Sequence, residues 1–409
     1  MTTSAPPSPP ASASRTEETR VPAAAYVNLV VATVGFGLTF WAWNLIAPLA
    51  THFQDELGFG TFANSFLVAV PVIVGSLGRI PVGALTDKLG ARLMFPLVSA
   101  LTIIPVLLLI PARHSYWSLV LVAFVLGIGG TTFAIGIPLV NSWFPPSRRG
   151  FALGVFGMGM GGTAFSGYFS PRIWQHSQDL PYIVVAFCIA VYCVIAMLLI
   201  RDHPGRKIPT TPLTARLKQA GRFRVTWELS ALYAIGFGGI VAYGTYLPTY
   251  LKTWYHLSPT DAGTKAAGFA VLTVIGRPIG GWLSDRIHPA VVTAWALVFT
   301  GILSQCQAFA PSLHWAGTAF LLGMAFGLGV CSGSVFALVS QVTPVEQVGS
   351  VTGIVGAVGG LGGFVPPLVM GAIYAGQHSY AIGFGLLTDL ALAGAVYAAI
   401  RMRQASREV

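Results

Sequence analysis

The sequence predicts an all-α membrane protein with 12 transmembrane helices in two pseudo-symmetric six-helix halves, and three observations carry that reading. Hydrophobic residues make up 54% of the 409 residues and charged residues only 9%, a balance foreign to soluble domains and suited to about twelve spans of about twenty residues. A motif recurs: Gly78-Arg79-Ile80-Pro81-Val82-Gly83-Ala84-Leu85-Thr86-Asp87-Lys88 returns 198 residues later as Gly276-Arg277-Pro278-Ile279-Gly280-Gly281-Trp282-Leu283-Ser284-Asp285-Arg286, the mark of an internal repeat. Finally, seventeen Lys and Arg fall in one alternate set of loops and termini and four in the other, which places both termini in the cytoplasm by the positive-inside rule.

Taken in order, residues 1–23 are rich in Ser, Pro, Ala and Thr, lack an apolar core, and read as a disordered cytoplasmic tail. Residues 24–200 form a first bundle of six spans. Its first span carries the aromatic cluster Phe40-Trp41-Ala42-Trp43-Asn44, whose bulk packs a helix or lines a cavity. The second carries Arg79 and ends at Asp87-Lys88. The third is apolar throughout. The fourth presents Gly127-Ile128-Gly129-Gly130 and then Phe133, a small-residue face that lets helices approach closely, followed by a bulky ring.

The fifth span, around Gly154-Val155-Phe156-Gly157-Met158-Gly159-Met160-Gly161-Gly162, is the most glycine-dense part, and Gly353 to Phe364 in the eleventh is its twin. Glycine weakens a helix by about 1 kcal/mol relative to alanine. Two compensations are open: close packing with hinge motion, or a bare backbone surface against which a small ligand lies. After the sixth span, residues 201–224 form a basic cytoplasmic linker broken by Pro204, Pro209 and Pro212. Residues 225–401 repeat the bundle, with Tyr233 and Phe237 four apart on one face of the seventh span and Arg277 in the eighth. Residues 402–409 are a short basic tail.

Of twenty-three Lys and Arg, only Arg79 and Arg277 lie deep in helices. Each precedes its aspartate by eight positions, about 12 Å of helical rise, so an aspartate at the water boundary puts the arginine near the membrane midplane. Charges there are costly and mark functional sites. One guanidinium from each half, facing a shared chamber, makes an anion site, and its planar fork of donors matches a flat oxyanion as an ammonium does not. Phe133, Tyr233 or Phe237 would close that site by stacking or by a phenol hydrogen bond. The competing reading makes each arginine scaffold, tied to backbone carbonyls or to an acid. The midplane offers no acid except Asp389 in the twelfth span, a helix usually peripheral in such folds.

Two resemblances follow from these motifs. The run Gly83-Ala84-Leu85-Thr86-Asp87-Lys88-Leu89-Gly90-Ala91-Arg92, echoed at Asp285-Arg286, resembles the cytoplasmic loop of the major facilitator superfamily, which implies that Gly83, Asp87, Lys88, Arg92, Asp285 and Arg286 latch the cytoplasmic helix ends. Together with the Phe40 to Asn44 cluster, Gly78-Arg79-Ile80-Pro81, Gly276-Arg277-Pro278 and the Gly353 to Phe364 run, the chain after residue 23 resembles the nitrate/nitrite porter family of that superfamily. The resemblance implies the superfamily fold, nitrate and nitrite as partners, and substrate binding by Arg79 and Arg277. It further implies that Phe133, Tyr233 and Phe237 line the substrate and that the glycine-rich spans five and eleven, at Gly161 and Gly360, are the signature helices. Many members carry an asparagine where this chain has Gly161, so an amide donor is missing there.

Coupling follows from charge. A site holding two positive charges resists reorientation through a low-dielectric middle until an anion neutralises part of that charge, which favours nitrate/nitrite exchange. Proton-coupled nitrate symport would need a titratable relay, and all eight histidines fall at span ends or in loops. Nitrite extrusion and export of another small anion are the remaining transport readings; a multidrug exporter is disfavoured by two midplane arginines, and a nitrate sensor would carry a signalling domain. No nucleophile-base pair or phosphate loop marks an enzyme. The four cysteines lie inside apolar runs without metal-ligand spacing, so no disulfide, metal or cofactor is expected. The basic excess sits in loops rather than a patch, which argues against nucleic acid. The expected state is a monomer in the cell membrane.

Overall fold

In the computed structural model the described residues are 21–206, 211–343 and 348–402; the tails expected at both ends lie outside them up to residue 20 and from residue 403. Among the described residues the chain is helical, and eleven helices are long and apolar enough to cross a bilayer. In the first half these are Ala23–Leu57, Thr61–Leu89, Ala91–Ala112, Tyr116–Trp143 and Leu180–Leu199. In the second they are Arg224–Tyr255, Pro259–Ser284, Pro289–Ala308, Ala316–Val339, Ser350–Gln377 and Ala381–Met402. The fifth crossing is made of three pieces, Pro146–Gly157, Met158–Gly161 and Gly162–Trp174. Twelve crossings leave residues 21 and 402, the ends of the described chain, on one face, called here the near face, with the linker between halves; the opposite face is the far face.

Polarity is arranged inside out. In the third span Leu93, Leu97, Leu101, Ile104 and Leu108 are exposed at helical spacing, and in the sixth Phe187, Val191, Val194 and Leu198 are. Such apolar stripes are fitted to lipid, where helix association rests on close packing and polar contacts instead of the hydrophobic effect. Arg79 and Arg277 are buried instead. Asp389 lies on the outward side of the twelfth span between exposed Leu386 and Leu390, with no ion pair among the described residues.

Glycine sets the spacing of the helices that carry the arginines. In the first half Gly75 and Gly78 of the second span abut Gly127, Gly130 and Thr131 of the fourth. In the second half Gly276 and Gly280 of the eighth span abut Gly329 and Val330 of the tenth, and Gly333 lies against the Arg277 carbonyl. A methyl group on Gly280 would collide with the Val330 backbone, which cannot move aside. The same glycine content loosens the helices at the depth of the arginines. The fourth span tightens to a 3-10 turn over Gly127–Thr132, the fifth over Met158–Gly161, and the eleventh breaks between Leu361 and Val365. Interrupted helices beside a midplane chamber are a recurring feature of secondary transporters.

At the near face the two copies of the motif make different contacts. Asp87 pairs with Arg216 at 2.9 Å. Arg216 sits on Leu213–Arg222, a helix the prolines of the linker conceal and which packs against the eleventh span. Arg206 also donates to the Thr86 and Asp87 carbonyls. Lys88 and Arg92 are exposed, and it is the Ala91 and Arg92 backbone N–H groups that donate, to Asp202 of the linker, capping the third span. In the second copy Arg286 stacks over Trp282 at 4.0 Å, and Asp285 has no ion pair among the described residues.

Candidate functional site

The two arginines of the repeat converge. Arg79 and Arg277 are 7% and 8% exposed, and each guanidinium carbon lies over the ring of Phe237, at 5.2 Å and 5.4 Å respectively. Arg79 also lies 5.1 Å from the centroid of Phe133. The two rings are stacked 6.4 Å apart with 18° between planes. Cation–π contacts in so dry a place are worth about 2 kcal/mol each and offset part of the desolvation of the charges. Tyr233 stacks on Phe237 at 4.9 Å with 2° between planes, as four-residue spacing on one helix face requires.

Hydrogen bonds aim the two forks differently. Arg79 donates from Nε to the Gly130 carbonyl at 3.4 Å and from Nη1 to the Gly356 carbonyl at 2.9 Å, so its charge ties the second span to the fourth and, across the halves, to the eleventh. The scaffold reading therefore holds for part of Arg79. Arg277 donates from Nη2 to the Tyr233 hydroxyl at 3.2 Å and from Nη1 to the Met160 sulfur, a weak acceptor. A guanidinium has five N–H groups, and two on each arginine have hydrogen-bond partners among the described residues. Neither arginine has a carboxylate partner among them. The result is a buried pair of cations with spare donors and no carboxylate among the described residues to compensate their charge.

The two signature glycines fall in different places. A methyl group on Gly360 would stand 2.5 Å from Ser76 Oγ and 3.3 Å from Arg79 Nη1, so the bare backbone there is what lets Arg79 lie flat. Gly161 faces Val274 of the eighth span at 3.9 Å, whereas Gly157, one turn away, faces Arg277 Nη1 at 3.9 Å. Two further residues belong to the cluster. Met160 touches Arg277, and Phe336 of the tenth span meets Tyr233 edge-on at 4.7 Å and Phe133 at 6.4 Å. Phe336 was legible: Gly130-Thr131-Thr132-Phe133 and Gly333-Ser334-Val335-Phe336 are echoes of one another. Phe36 and Phe156 back the cluster, the latter stacked 6.1 Å from Phe133.

Two bundles of spanning helices joined by a near-face linker, meeting at a buried layer that carries two guanidiniums, have the architecture of a secondary transporter. A profile of the Major Facilitator Superfamily matches residues 32–404. The probable nitrate/nitrite transporter NarK2 of Mycobacterium tuberculosis is 46% identical over 92% of this chain and 96% of its own length. The nitrite extrusion protein of Bacillus subtilis is 34% identical over 91% and 93%, and the probable nitrate transporter NarT of Staphylococcus carnosus is 35% identical over 84% and 88%. In fold, the chain is similar to a bacterial homologue of the human lysosomal transporter Spinster, with a TM-score of 0.70, 18% identity, and coverage of 93% of this chain and 96% of that one. The chain belongs to the major facilitator superfamily and, within it, to the nitrate/nitrite porter family.

Proposed function

We propose that this chain carries nitrate and nitrite across the cell membrane by alternating access, exchanging one for the other, with Arg79 and Arg277 as the anion ligands. The carrying observation is the single ring of Phe237 shared by two guanidiniums that have no carboxylate partner among the described residues. A flat monovalent oxyanion fits there: the forked donors match its plane, aromatic faces bound it, and its charge relieves the repulsion between the cations. Phe133, Tyr233 and Phe237 shape the pocket, while Gly360 leaves room for Arg79. The names of the relatives support the same cargo.

Exchange follows from the electrostatics. The unliganded pair is the most costly species to move through a low-dielectric interior, so return without an anion is slow and return with one is fast. Asp389 faces outward from the twelfth span, away from a role as proton relay between the arginines and water. The bundles of residues 24–200 and 225–401 rock about this layer, with the near face cytoplasmic, and the latch of Asp87 with Arg216 closes that side. One site per chain suffices, so the unit is a monomer.

Counterflow tests the reading. Proteoliposomes loaded with nitrite are expected to take up labelled nitrate without a proton gradient, and vesicles without internal anion are expected to take up little. Uptake driven by external acid alone into anion-free vesicles would replace exchange with symport. No uptake of nitrate under any gradient would remove the cargo.

A further inference from the structure

A cavity adjoins the arginine layer on its far side. Its walls include Asn44, Met160, Thr163, Thr245, Phe269 and Thr273, drawn from the first, fifth, seventh and eighth spans of both halves. The first and seventh spans run outward past their midpoints here, and the eighth has yet to reach Arg277, so the cavity lies between the arginines and the far face. Met160 is at once a wall of this chamber and a partner of Arg277. Counted as room open to the centre of a water molecule, the chamber measures about 20 Å³, enough for at least one water.

The polar lining has a definite sense. Asn44 stands at the break between Ala23–Trp43 and Ile46–Leu57, 3% exposed. Its Nδ2 points at the Thr163 carbonyl at 3.5 Å, and Ser166 donates to its backbone carbonyl at 3.0 Å, yet its Oδ1 is buried with no hydrogen-bond partner among the described residues. The three threonines spend their protons on their own helices: Thr163 on the Met160 carbonyl, Thr245 on that of Val241 and Thr273 on that of Phe269. Their oxygens, like Asn44 Oδ1, are left as acceptors. The wall is otherwise apolar, with Phe40, Ile240 and Val274 among its side chains, and its few polar atoms are acceptors that repel a bare anion and bind a donor. Water satisfies both, with one O–H to the wall and the other to an anion.

We propose that this chamber is a hydration stage on the far-face route: Asn44 Oδ1 and the threonine oxygens hold water that bridges to an oxyanion as it reaches or leaves the arginine pair. The inference rests on the anion reading above and adds a new residue to it. The stage is one-sided, since Asn44 lies beyond Arg277 on the far side only. The consequence is asymmetric kinetics, which a packing role for Asn44 does not produce.

The test compares nitrate presented to each face, using nitrite-loaded right-side-out and inverted vesicles. Asn44→Leu is expected to raise KM for far-face nitrate about tenfold while leaving near-face KM within about twofold of wild type. Thr245→Val, a smaller change on a different span, is expected to shift far-face KM in the same direction by a few fold, and it decides the matter should Asn44→Leu fail to insert. Equal changes at both faces, or no change at either, would overturn the stage. Wild-type vesicles that carry no nitrate would instead overturn the anion reading, which the arginine variants test separately.

Discussion

At the scale of single residues, geometry separates what charge alone contributes from what shape contributes. Arg79→Lys and Arg277→Lys keep the positive charge but lose the planar fork, and a lysine cannot lie flat on Phe237 while reaching Gly356 or Tyr233. Losing charge-assisted hydrogen bonds of this kind costs about 1.5–3 kcal/mol each, so each variant is expected to lower nitrate uptake at subsaturating concentration by 10- to 100-fold with membrane insertion unchanged. Uptake within twofold of wild type in either would argue that charge, not shape, selects the anion. Phe237→Leu keeps an apolar side chain but removes the π face shared by both cations; its expected effect is a severalfold rise in KM, measured in the same vesicles. The four residues around the fork were legible from two facts, the deep arginines and the four-residue spacing of Tyr233 and Phe237. Met160 was not, because its role depends on a thioether landing beside Arg277, which no spacing encodes.

At the scale of elements, glycine is the controlling residue. The repeat predicted which helices carry the arginines; that Gly276 and Gly280 of one of them pack on Gly329 and Val330 is a finding of the structure. What the repeat could not show is the local loosening to 3-10 turns at Gly127–Thr132 and Met158–Gly161, because a run of glycines suits a hinge, a close contact or a bare surface equally. The structure separates these uses position by position. Gly280→Ala would drive a methyl group into immobile backbone and is expected to destabilise the protein by about 1–3 kcal/mol, read as a lowered melting temperature in detergent. Gly360→Ala meets a movable neighbour instead, Ser76 Oγ at 2.5 Å. Its expected phenotype is weakened transport with near-normal stability, partly restored by adding Ser76→Ala. Failure of that second change to restore any activity would show that the contact with Arg79 Nη1, and not the one with Ser76, limits the site.

At the scale of the whole molecule, sequence and structure agree on twelve crossings and a twofold repeat, since hydropathy and motif spacing are properties of the chain itself. They part at the near face, where the aspartates of the repeat behave unequally: Asp87 is held by Arg216 of the linker helix, and Arg286 turns to Trp282. A linker with three prolines reads as a plain connection, yet the ten residues after Pro212 form a helix packed on the eleventh span. A partly buried ion pair of this kind contributes on the order of 1 kcal/mol to stability, so the role proposed for the Asp87 to Arg216 contact lies in holding that face closed more than in folding. Asp87→Asn is expected to leave the melting temperature within a few degrees of wild type while increasing labelling of a cysteine placed at the near-face end of the chamber. Labelling equal to wild type would mean that the linker helix does not latch that face.

The proposal that two guanidiniums share one anion is tested most directly by equilibrium binding of labelled nitrate to the purified protein. One nitrate per chain is expected, competed by nitrite, and lost in Arg79→Lys and in Arg277→Lys alike. Two nitrates per chain, or binding that survives in either variant with wild-type affinity, would contradict it.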